Sequence, residues 1–136
     1  GGRHGRGLRR CRRAAQGAFV TGARRLPGVE CAQVESRKVV DYLLATAHPD
    51  GASKARFFLA RGARAEAWEV FARTLVEHAR LNPVARVRDD PAGRARLFQV
   101  DCHVRMPDDS TPCIRTVWEL RAGAACPRLV TAYPAA

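Results

Sequence analysis

The chain has 136 residues, 46% of them hydrophobic, and carries a formal net charge of +11. This length suits one domain that builds its core without a cofactor or cross-links, and it excludes a second catalytic domain. No stretch approaches the roughly 20 uninterrupted apolar residues of a membrane-spanning helix, so we expect no membrane insertion.

The positive charge is concentrated at the start of the chain. Residues 1–25 hold eight of the 24 Lys and Arg residues and no acid, which leaves 16 basic and 13 acidic residues in 26–136. An Arg/Gly-rich segment cannot bury enough apolar surface to fold alone, and it lacks the apolar centre of a cleaved export signal. We therefore predict a basic flexible arm or linker (1–25) and a single α+β domain (26–136). Composition does not separate an arm that binds nucleic acid from a solvated linker.

Two helices are predicted in the first part of this domain. Apolar residues recur at helical spacing over 36–45, and Ser36 is placed to cap the start of this helix. The turn residues of 48–51 end it. Ser53 is then placed to cap a second helix over 54–61.

A third helix is the most strongly patterned part of the sequence. Gly62 ends the second helix. From Arg64 to about Leu81, an apolar stripe that includes Trp68 and Phe71 lies opposite charged residues. The pattern predicts a helix that packs by one face.

Beyond this helix the period changes to that of strands. Short strands are predicted over 84–88, 95–106, 112–121 and 128–133, with a hairpin turn at 107–110. Helices followed by adjacent short strands indicate an α+β fold. We expect two or three N-terminal helices packed on one face of a roughly four-stranded antiparallel sheet.

The cysteines give little indication of cross-links or metal. They are odd in number and irregularly spaced: Cys11, Cys31, Cys102, Cys113 and Cys126. This is a poor pattern for a disulfide framework, and Cys102 and Cys113 suit small apolar positions in strands. A zinc site of Cys102, His103, Cys113 and Cys126 is disfavoured, because structural zinc sites carry close ligand pairs. We expect no metal and no cofactor.

Several familiar catalytic motifs are missing. The chain has no phosphate-binding loop, dinucleotide fingerprint, H-E-x-x-H motif or nucleophile elbow, so nucleotide hydrolysis, hydride transfer and zinc proteolysis are disfavoured. Two acidic pairs, Asp89-Asp90 and Asp108-Asp109, suit turns beside Pro rather than a magnesium site. A metal-dependent nuclease is therefore disfavoured as well.

The remaining inventory suits RNA transesterification, in which the RNA supplies its own 2′-OH nucleophile and the protein supplies a base, an acid and cationic donors. His48 is the leading base or acid because imidazole titrates near neutral pH and this residue lies in a turn. The alternative for His48 is a solvated turn histidine. Lys54, at a helix start, can clamp a phosphate or, if partly buried, donate a proton.

The strands add further candidates. Arg115, His103 and Asp101 fall on one open face, as a phosphate-binding set or as an exposed cross-strand charge cluster. Thr131 and Tyr133 can bring a hydroxyl to the phosphate, or Tyr133 can stack on a base.

Four sequence segments carry a resemblance to a known family. They are Lys38-Val-Val-Asp-Tyr-Leu-Leu, His48-Pro-Asp-Gly-Ala-Ser-Lys54-Ala-Arg-Phe-Phe, Ile114-Arg-Thr-Val-Trp118 and Pro127-Arg-Leu-Val-Thr-Ala-Tyr-Pro134. Over about residues 36–134 the chain resembles a bacterial domain family found as small stand-alone proteins and at the C-termini of large secreted or phage-associated toxins. The H-P-x-G-x-x-K-A piece is the most specific part.

The order of helices and strands is also similar to the superfamily of metal-independent ribonuclease toxins that includes barnase, RelE and colicin E5, a similarity at the level of the fold. It implies an RNA substrate, tRNA included, and a small acidic immunity or antitoxin protein. It also implies action in the cytoplasm after delivery as the C-terminal part of a secreted toxin.

These considerations lead to an endoribonuclease toxin as the first hypothesis. The predicted catalytic residues are His48, Lys54, Thr131 and Tyr133. The predicted substrate-binding residues are Arg56, Arg115, Thr116, Trp118 and Arg128, although Thr116 and Trp118 also fit the apolar register of their strand. The alternatives are a non-catalytic nucleic-acid-binding domain that uses the basic arm, a toxin that transfers ADP-ribose from NAD, and a structural or adaptor protein.

Overall fold

The computed structural model describes residues 24–47 and 51–135, in which three helices precede four strands. Helix α1 comprises Ser36–Lys38 and a π-helical continuation over Val39–Leu43, α2 is Ala52–Leu59, and α3 is Trp68–Leu81. The strands are β1 (Val84–Asp89), β2 (Ala95–His103), β3 (Cys113–Arg121) and β4 (Arg128–Pro134). The predicted α+β fold is confirmed.

The four strands form one antiparallel sheet in the order β1-β2-β3-β4. Because side chains alternate along a strand, each strand has one row against the helices and one row facing away. Phe98 lies opposite Trp118 in the row that faces the helices, whereas Asp101 lies opposite Arg115 in the other row. We call these two surfaces the core face and the open face.

The core lies between the helices and the core face of the sheet. The apolar stripe of α3 packs there, as its spacing predicts. Fully or almost fully buried members are Val39, Leu43, Phe58, Phe71, Leu75, Ala79, Phe98, Val100, Ile114, Trp118, Leu129 and Ala132. The helices therefore cover one face only and leave the other available to a ligand.

The predicted serine caps are wrong. Ser36 is the first residue of α1 and not its cap, and neither α1 nor α2 has a capping hydrogen bond from a side chain. Helix α2 begins at Ala52, two residues before the predicted start, because Ala55 N already donates to Gly51 O at 2.9 Å. The early start places Lys54 inside the first turn of α2.

Strand β2 ends at His103, three residues before the predicted end. Cys102 has a φ of 141°, and beyond His103 the chain turns so that Met106 N donates to Ser110 O. The loop is tied to the segment that follows α2, because Asp108 N donates to Arg61 O. The alternating pattern thus runs three residues past the end of the strand, up to the turn.

The expectation of no disulfide framework is also wrong. Cys31 and Cys126 form a disulfide across 95 residues of sequence, and Cys102 is disulfide-bonded as well. Gly28 brings the two segments together: its φ is +71°, and a Cβ there would clash with Ala125 O. The disulfide joins the segment before α1 to the loop that leads into β4.

None of the helices in the described part of the chain is long and apolar enough to cross a membrane.

Candidate functional site

The open face is the surface of the sheet that the helices leave uncovered. Strand pairing and alternation bring its residues into adjacent rows. Its members are Arg86, Arg88, Leu97, Gln99, Asp101, His103, Arg115, Val117, Glu119, Arg128, Thr131 and Tyr133. Polar and cationic side chains predominate, in contrast with the core face.

Three of the predicted site residues meet at one edge of this face. Lys54 Nζ lies 5.0 Å from the centre of the Tyr133 ring, and Arg115 Cζ lies 5.7 Å from it. Arg115 and Tyr133 are neighbours on β3 and β4, and Lys54 reaches them from α2. We call these residues the tyrosine cluster. It is half-buried, so a ligand can contact it from solvent.

Asp101 fixes the arginine of this cluster. Arg115 Nε and Nη2 donate to the two carboxylate oxygens of Asp101 at 2.8 and 3.1 Å, and Gln99 Nε2 donates to the same carboxylate at 3.2 Å. Hydrogen bonding to Asp101 raises the pKa of Arg115, and the Tyr133 side chain contributes in the same direction. A guanidinium has further N–H donors that Asp101 does not use. Arg115 is therefore charged, oriented and still able to bind an oxyanion.

Two exposed arginines extend the positive surface toward β1. Arg86 and Arg88 lie opposite Gln99 and Leu97, and they line a hollow of about 60 Å³ together with Tyr133. Neither arginine has an ion-pair partner within residues 24–47 and 51–135. The hollow thus connects the tyrosine cluster to two uncompensated cations.

Thr116 and Trp118 do not belong to this surface, so their predicted substrate-binding role is wrong. Both are fully buried on the core face. Trp118 Nε1 donates to Thr116 Oγ1 at 2.8 Å, and Thr116 Oγ1 lies 3.0 Å from His78 Nδ1. Side chains without solvent exposure cannot contact RNA, and these two support the sheet instead.

His78 completes this buried network, and sequence reasoning gave it no role. Its Nε2 lies 3.0 Å from Cys102 O, and a carbonyl only accepts, so Nε2 carries the proton and Nδ1 accepts from the Thr116 hydroxyl. Burial lowers the pKa of His78 from 6.5 to about 4. The signal was present in the sequence, because His78 continues the buried stripe of Phe71 and Leu75.

Two polar atoms near the open face are enclosed without a partner among the described residues. Thr131 Oγ1 and His103 Nε2 have almost no accessible surface and no hydrogen bond within this part of the chain. The other nitrogen of His103 is satisfied, since Nδ1 lies 2.7 Å from Thr111 O. Thr131 lies on β4 beside Val117, but its hydroxyl does not face solvent. The predicted catalytic role of Thr131 therefore gains no support from its surroundings.

The other predicted site residues lie outside the tyrosine cluster. Arg56 is exposed on α2, about 200° around the helix from Lys54 at roughly 100° per residue. Arg128 lies at the far end of β4 and is compensated by Glu35 and Glu119, at 3.5 and 3.8 Å. His48 lies outside the described residues.

Metal ligands are not grouped on this surface. Among the residues that the structure describes, no set of three or more His, Cys, Asp or Glu side chains is arranged to hold a metal ion. The site instead presents two cations, a phenol and one carboxylate that is already engaged.

Comparison with known proteins gives one match. A family model described as "Domain of unknown function (DUF6883)" matches residues 25–136. No curated protein and no solved structure gives a significant match to the chain. Inferences about function therefore rest on the geometry of the open face.

Proposed function

We propose that this chain, which belongs to the DUF6883 family, is a metal-independent endoribonuclease of the toxin type. One observation carries the proposal: Lys54 and Arg115 both contact the ring of Tyr133, and among the described residues Asp101 is the carboxylate paired with Arg115. Two cations that contact the same ring favour an anion nearby, and a phosphodiester is an anion that such donors bind well.

The electrostatics of the site favour a transition state over a ground state. Cleavage of a phosphodiester passes through a phosphorane with additional negative charge on its oxygens, and donors already in place stabilise that charge. Asp101 keeps Arg115 oriented before the substrate arrives, so little reorganisation is needed when the charge develops. Lys54 supplies a second cation from a different element of the fold.

The reaction that fits these groups is transesterification. A base takes the proton from the ribose 2′-OH, and the 2′ oxygen forms a bond to phosphorus. The bond from phosphorus to the 5′ oxygen breaks, and an acid donates a proton to that leaving oxygen. The products are a 2′,3′-cyclic phosphate and a free 5′-OH.

The roles follow from chemistry and position. Lys54 and Arg115 hold the phosphate, and Tyr133, whose ring both cations contact, can donate a hydrogen bond from its phenol to the reacting phosphate or stack on a base. His48, six residues before Lys54 in sequence, is proposed as the base or the acid. The nucleophile is proposed to come from the RNA, because the 2′-OH lies beside the phosphate and needs only a base to activate it.

A positive open face also suggests the kind of protein that would inhibit the enzyme. An acidic immunity or antitoxin protein would bind the tyrosine cluster, Arg86 and Arg88, and so exclude RNA from the same surface. Delivery to the cytoplasm as part of a secreted toxin belongs to this proposal as well.

The test is cleavage of RNA by purified protein in EDTA. We expect the wild type to cut a short single-stranded RNA, to leave cyclic-phosphate ends, and to leave DNA of the same sequence intact. Lys54→Ala and Arg115→Ala should each lower the rate by roughly 100- to 1,000-fold, as loss of one transition-state donor does. His48→Ala tests the predicted proton transfer.

The chain offers a matched control for the lysine. Lys38 Nζ lies 5.4 Å from the ring of Tyr42, an equivalent cation and tyrosine pair on α1 and not on the open face. Lys38→Ala should therefore retain full activity. If RNA is bound but stays intact with folded wild type, the protein is a nucleic-acid-binding domain. If RNA is neither bound nor cut and NAD raises the melting temperature, ADP-ribosyl transfer replaces the proposal.

A further inference from the structure

A second and larger pocket lies at the other end of the open face. It has a volume of about 700 Å³, within the range of ordinary small-molecule sites. The hairpin between β1 and β2 and the end of β3 form its walls, and we call it the hairpin pocket. Leu97 and Glu119 line this pocket and lie opposite each other on β2 and β3. This pair is four residues along the strands from the pair of Asp101 and Arg115. At about 3.3 Å per residue, the two sites are about 13 Å apart.

The chemistry of this pocket differs from that of the tyrosine cluster. Its charged lining residues are Arg88, Arg94, Arg121, Asp89, Asp90 and Glu119. The two signs balance, and most of the charges are already paired: Arg94 with Asp90 at 3.8 Å and Arg121 with Glu119 at 3.4 Å. A phosphate would therefore gain little electrostatic stabilisation in this pocket. Half-buried Leu97 and Ala95 add apolar surface.

These features suit a nucleobase. A base has an apolar ring face, and its edges carry both hydrogen-bond donors and acceptors. Carboxylates such as Glu119 accept from base amino groups, and arginines donate to ring nitrogens and carbonyls. Arg88 lines both the hairpin pocket and the hollow beside Tyr133, so it connects the two sites along one path.

We infer that the hairpin pocket takes a base of the same RNA strand whose phosphate binds at the tyrosine cluster. The inference rests on the proposed function and adds the substrate class to it. The base must be unpaired, because a base in a duplex has its ring faces stacked and its Watson–Crick edge paired. A span of 13 Å corresponds to about four stacked nucleotides at 3.4 Å each. The substrate is a single-stranded segment longer than a dinucleotide, and the pocket selects one base in it.

Binding of uncleavable RNA tests this directly. Oligomers of two and six nucleotides with 2′-O-methyl groups cannot supply the nucleophile, so fluorescence anisotropy reports binding alone. We expect the six-nucleotide oligomer to bind roughly tenfold more tightly or better, the gain typical of one added base contact. Arg88→Ala should remove most of this difference. Arg73→Ala, which changes an exposed arginine on α3, should leave it intact.

Base selection is measured by comparing affinities among oligomers of different sequence. Glu119→Gln keeps the size of the side chain and removes its charge, so it should change the ratio of affinities among six-nucleotide oligomers that differ at one position. A purely electrostatic change would raise all affinities by one factor. Glu77→Gln, at another carboxylate paired with an arginine, should preserve the ratios.

The outcomes separate the two proposals. Equal binding of the two oligomer lengths, or unchanged ratios in Glu119→Gln, would overturn the hairpin-pocket inference even if the wild type cuts RNA. Binding that depends on length and selects a base, without cleavage of the unmodified six-nucleotide RNA, would support the hairpin-pocket inference and contradict the ribonuclease proposal. Absence of binding to every oligomer would overturn the inference as well.

Discussion

The two faces of the sheet are built from the same strands, yet they differ in how completely their polar groups are paired. On the core face, His78, Thr116 and Trp118 form a network in which each side-chain donor and acceptor of the shared bonds has a partner. On the open face, Arg86 and Arg88 have no ion pair within the described part of the chain, and Thr131 Oγ1 is enclosed without a partner.

This contrast separates stability from function. A buried polar group costs free energy unless it is hydrogen-bonded, so a completed buried network is typical of a structural role. Uncompensated cations on an exposed face contribute little to folding and remain available to a ligand. Substitutions of residues on both faces test whether this division holds.

The largest effect is expected at Trp118, which fills the centre of the core face. Trp118→Ala should lower the free energy of unfolding by about 3–5 kcal/mol, because it leaves a cavity and removes the partner of Thr116. Val117→Ala, one residue earlier on the open face, should cost under about 1.5 kcal/mol. Urea unfolding of both variants measures the difference, and equal costs would contradict the assignment of the two faces.

The next effect is a dependence of stability on pH. The pKa of His78 falls from 6.5 in the unfolded chain to about 4 in the fold, so the unfolded state binds more protons between these values. The contribution of His78 is complete above pH 6.5 and is lost as the pH falls to about 4, a total of about 3 kcal/mol.

Urea unfolding at pH 7 and pH 4.5 measures this loss. His78→Gln should be less stable at pH 7 and should show a flatter dependence on pH over this range. A His78→Gln protein with an unchanged slope would mean that other groups cause the dependence.

Two threonines give a matched pair with a smaller effect. Thr116→Val leaves His78 Nδ1 and Trp118 Nε1 without a partner and should cost about 1–3 kcal/mol. Thr131→Val removes a hydroxyl that has no hydrogen bond to any described residue, so it should be neutral or slightly stabilising. Thermal unfolding of the two variants gives the comparison, and a large loss in Thr131→Val would reveal a bond to that hydroxyl.

The smallest effect on folding is expected for the unpaired arginines. Arg86→Ala and Arg88→Ala should each change stability by no more than about 0.5 kcal/mol, since both side chains are exposed. Each should nevertheless weaken RNA binding and lower the dependence of affinity on salt by about one phosphate contact. A salt titration of both variants checks this, and an unchanged salt dependence would place the RNA elsewhere.

Much of the fold was predictable from periodicity. The stripe of α3 and the alternation in β2 and β3 are long, regular patterns, and they predict helices packed on one face of an antiparallel sheet. The absence of caps at Ser36 and Ser53 was not predictable, because backbone hydrogen bonds start both helices earlier than the sequence pattern indicates. The Cys31–Cys126 disulfide depends on a close approach of distant segments, which cysteine spacing alone does not reveal.

The site was predictable only in part. Alternation places Arg115 and Tyr133 on the face away from the helices, and the structure brings Lys54 to them. The same alternation places Thr116 and Trp118 in the core. The register of the strand therefore predicted the position of these two residues better than the family resemblance did. Nothing in the sequence indicates which arginines have acidic partners, because Glu35 reaches Arg128 from a separate segment.

The Cys31–Cys126 disulfide also determines how the domain responds to mechanical load. A pull on residues 24 and 135 would reach the crosslink once β4 is drawn away from β3, and the chain between the two cysteines could not then be extended further. While the disulfide is intact, the chain cannot be drawn out as a single extended thread. Passage through a pore too narrow for two strands therefore requires a reductant first, after which the sheet itself bears the force.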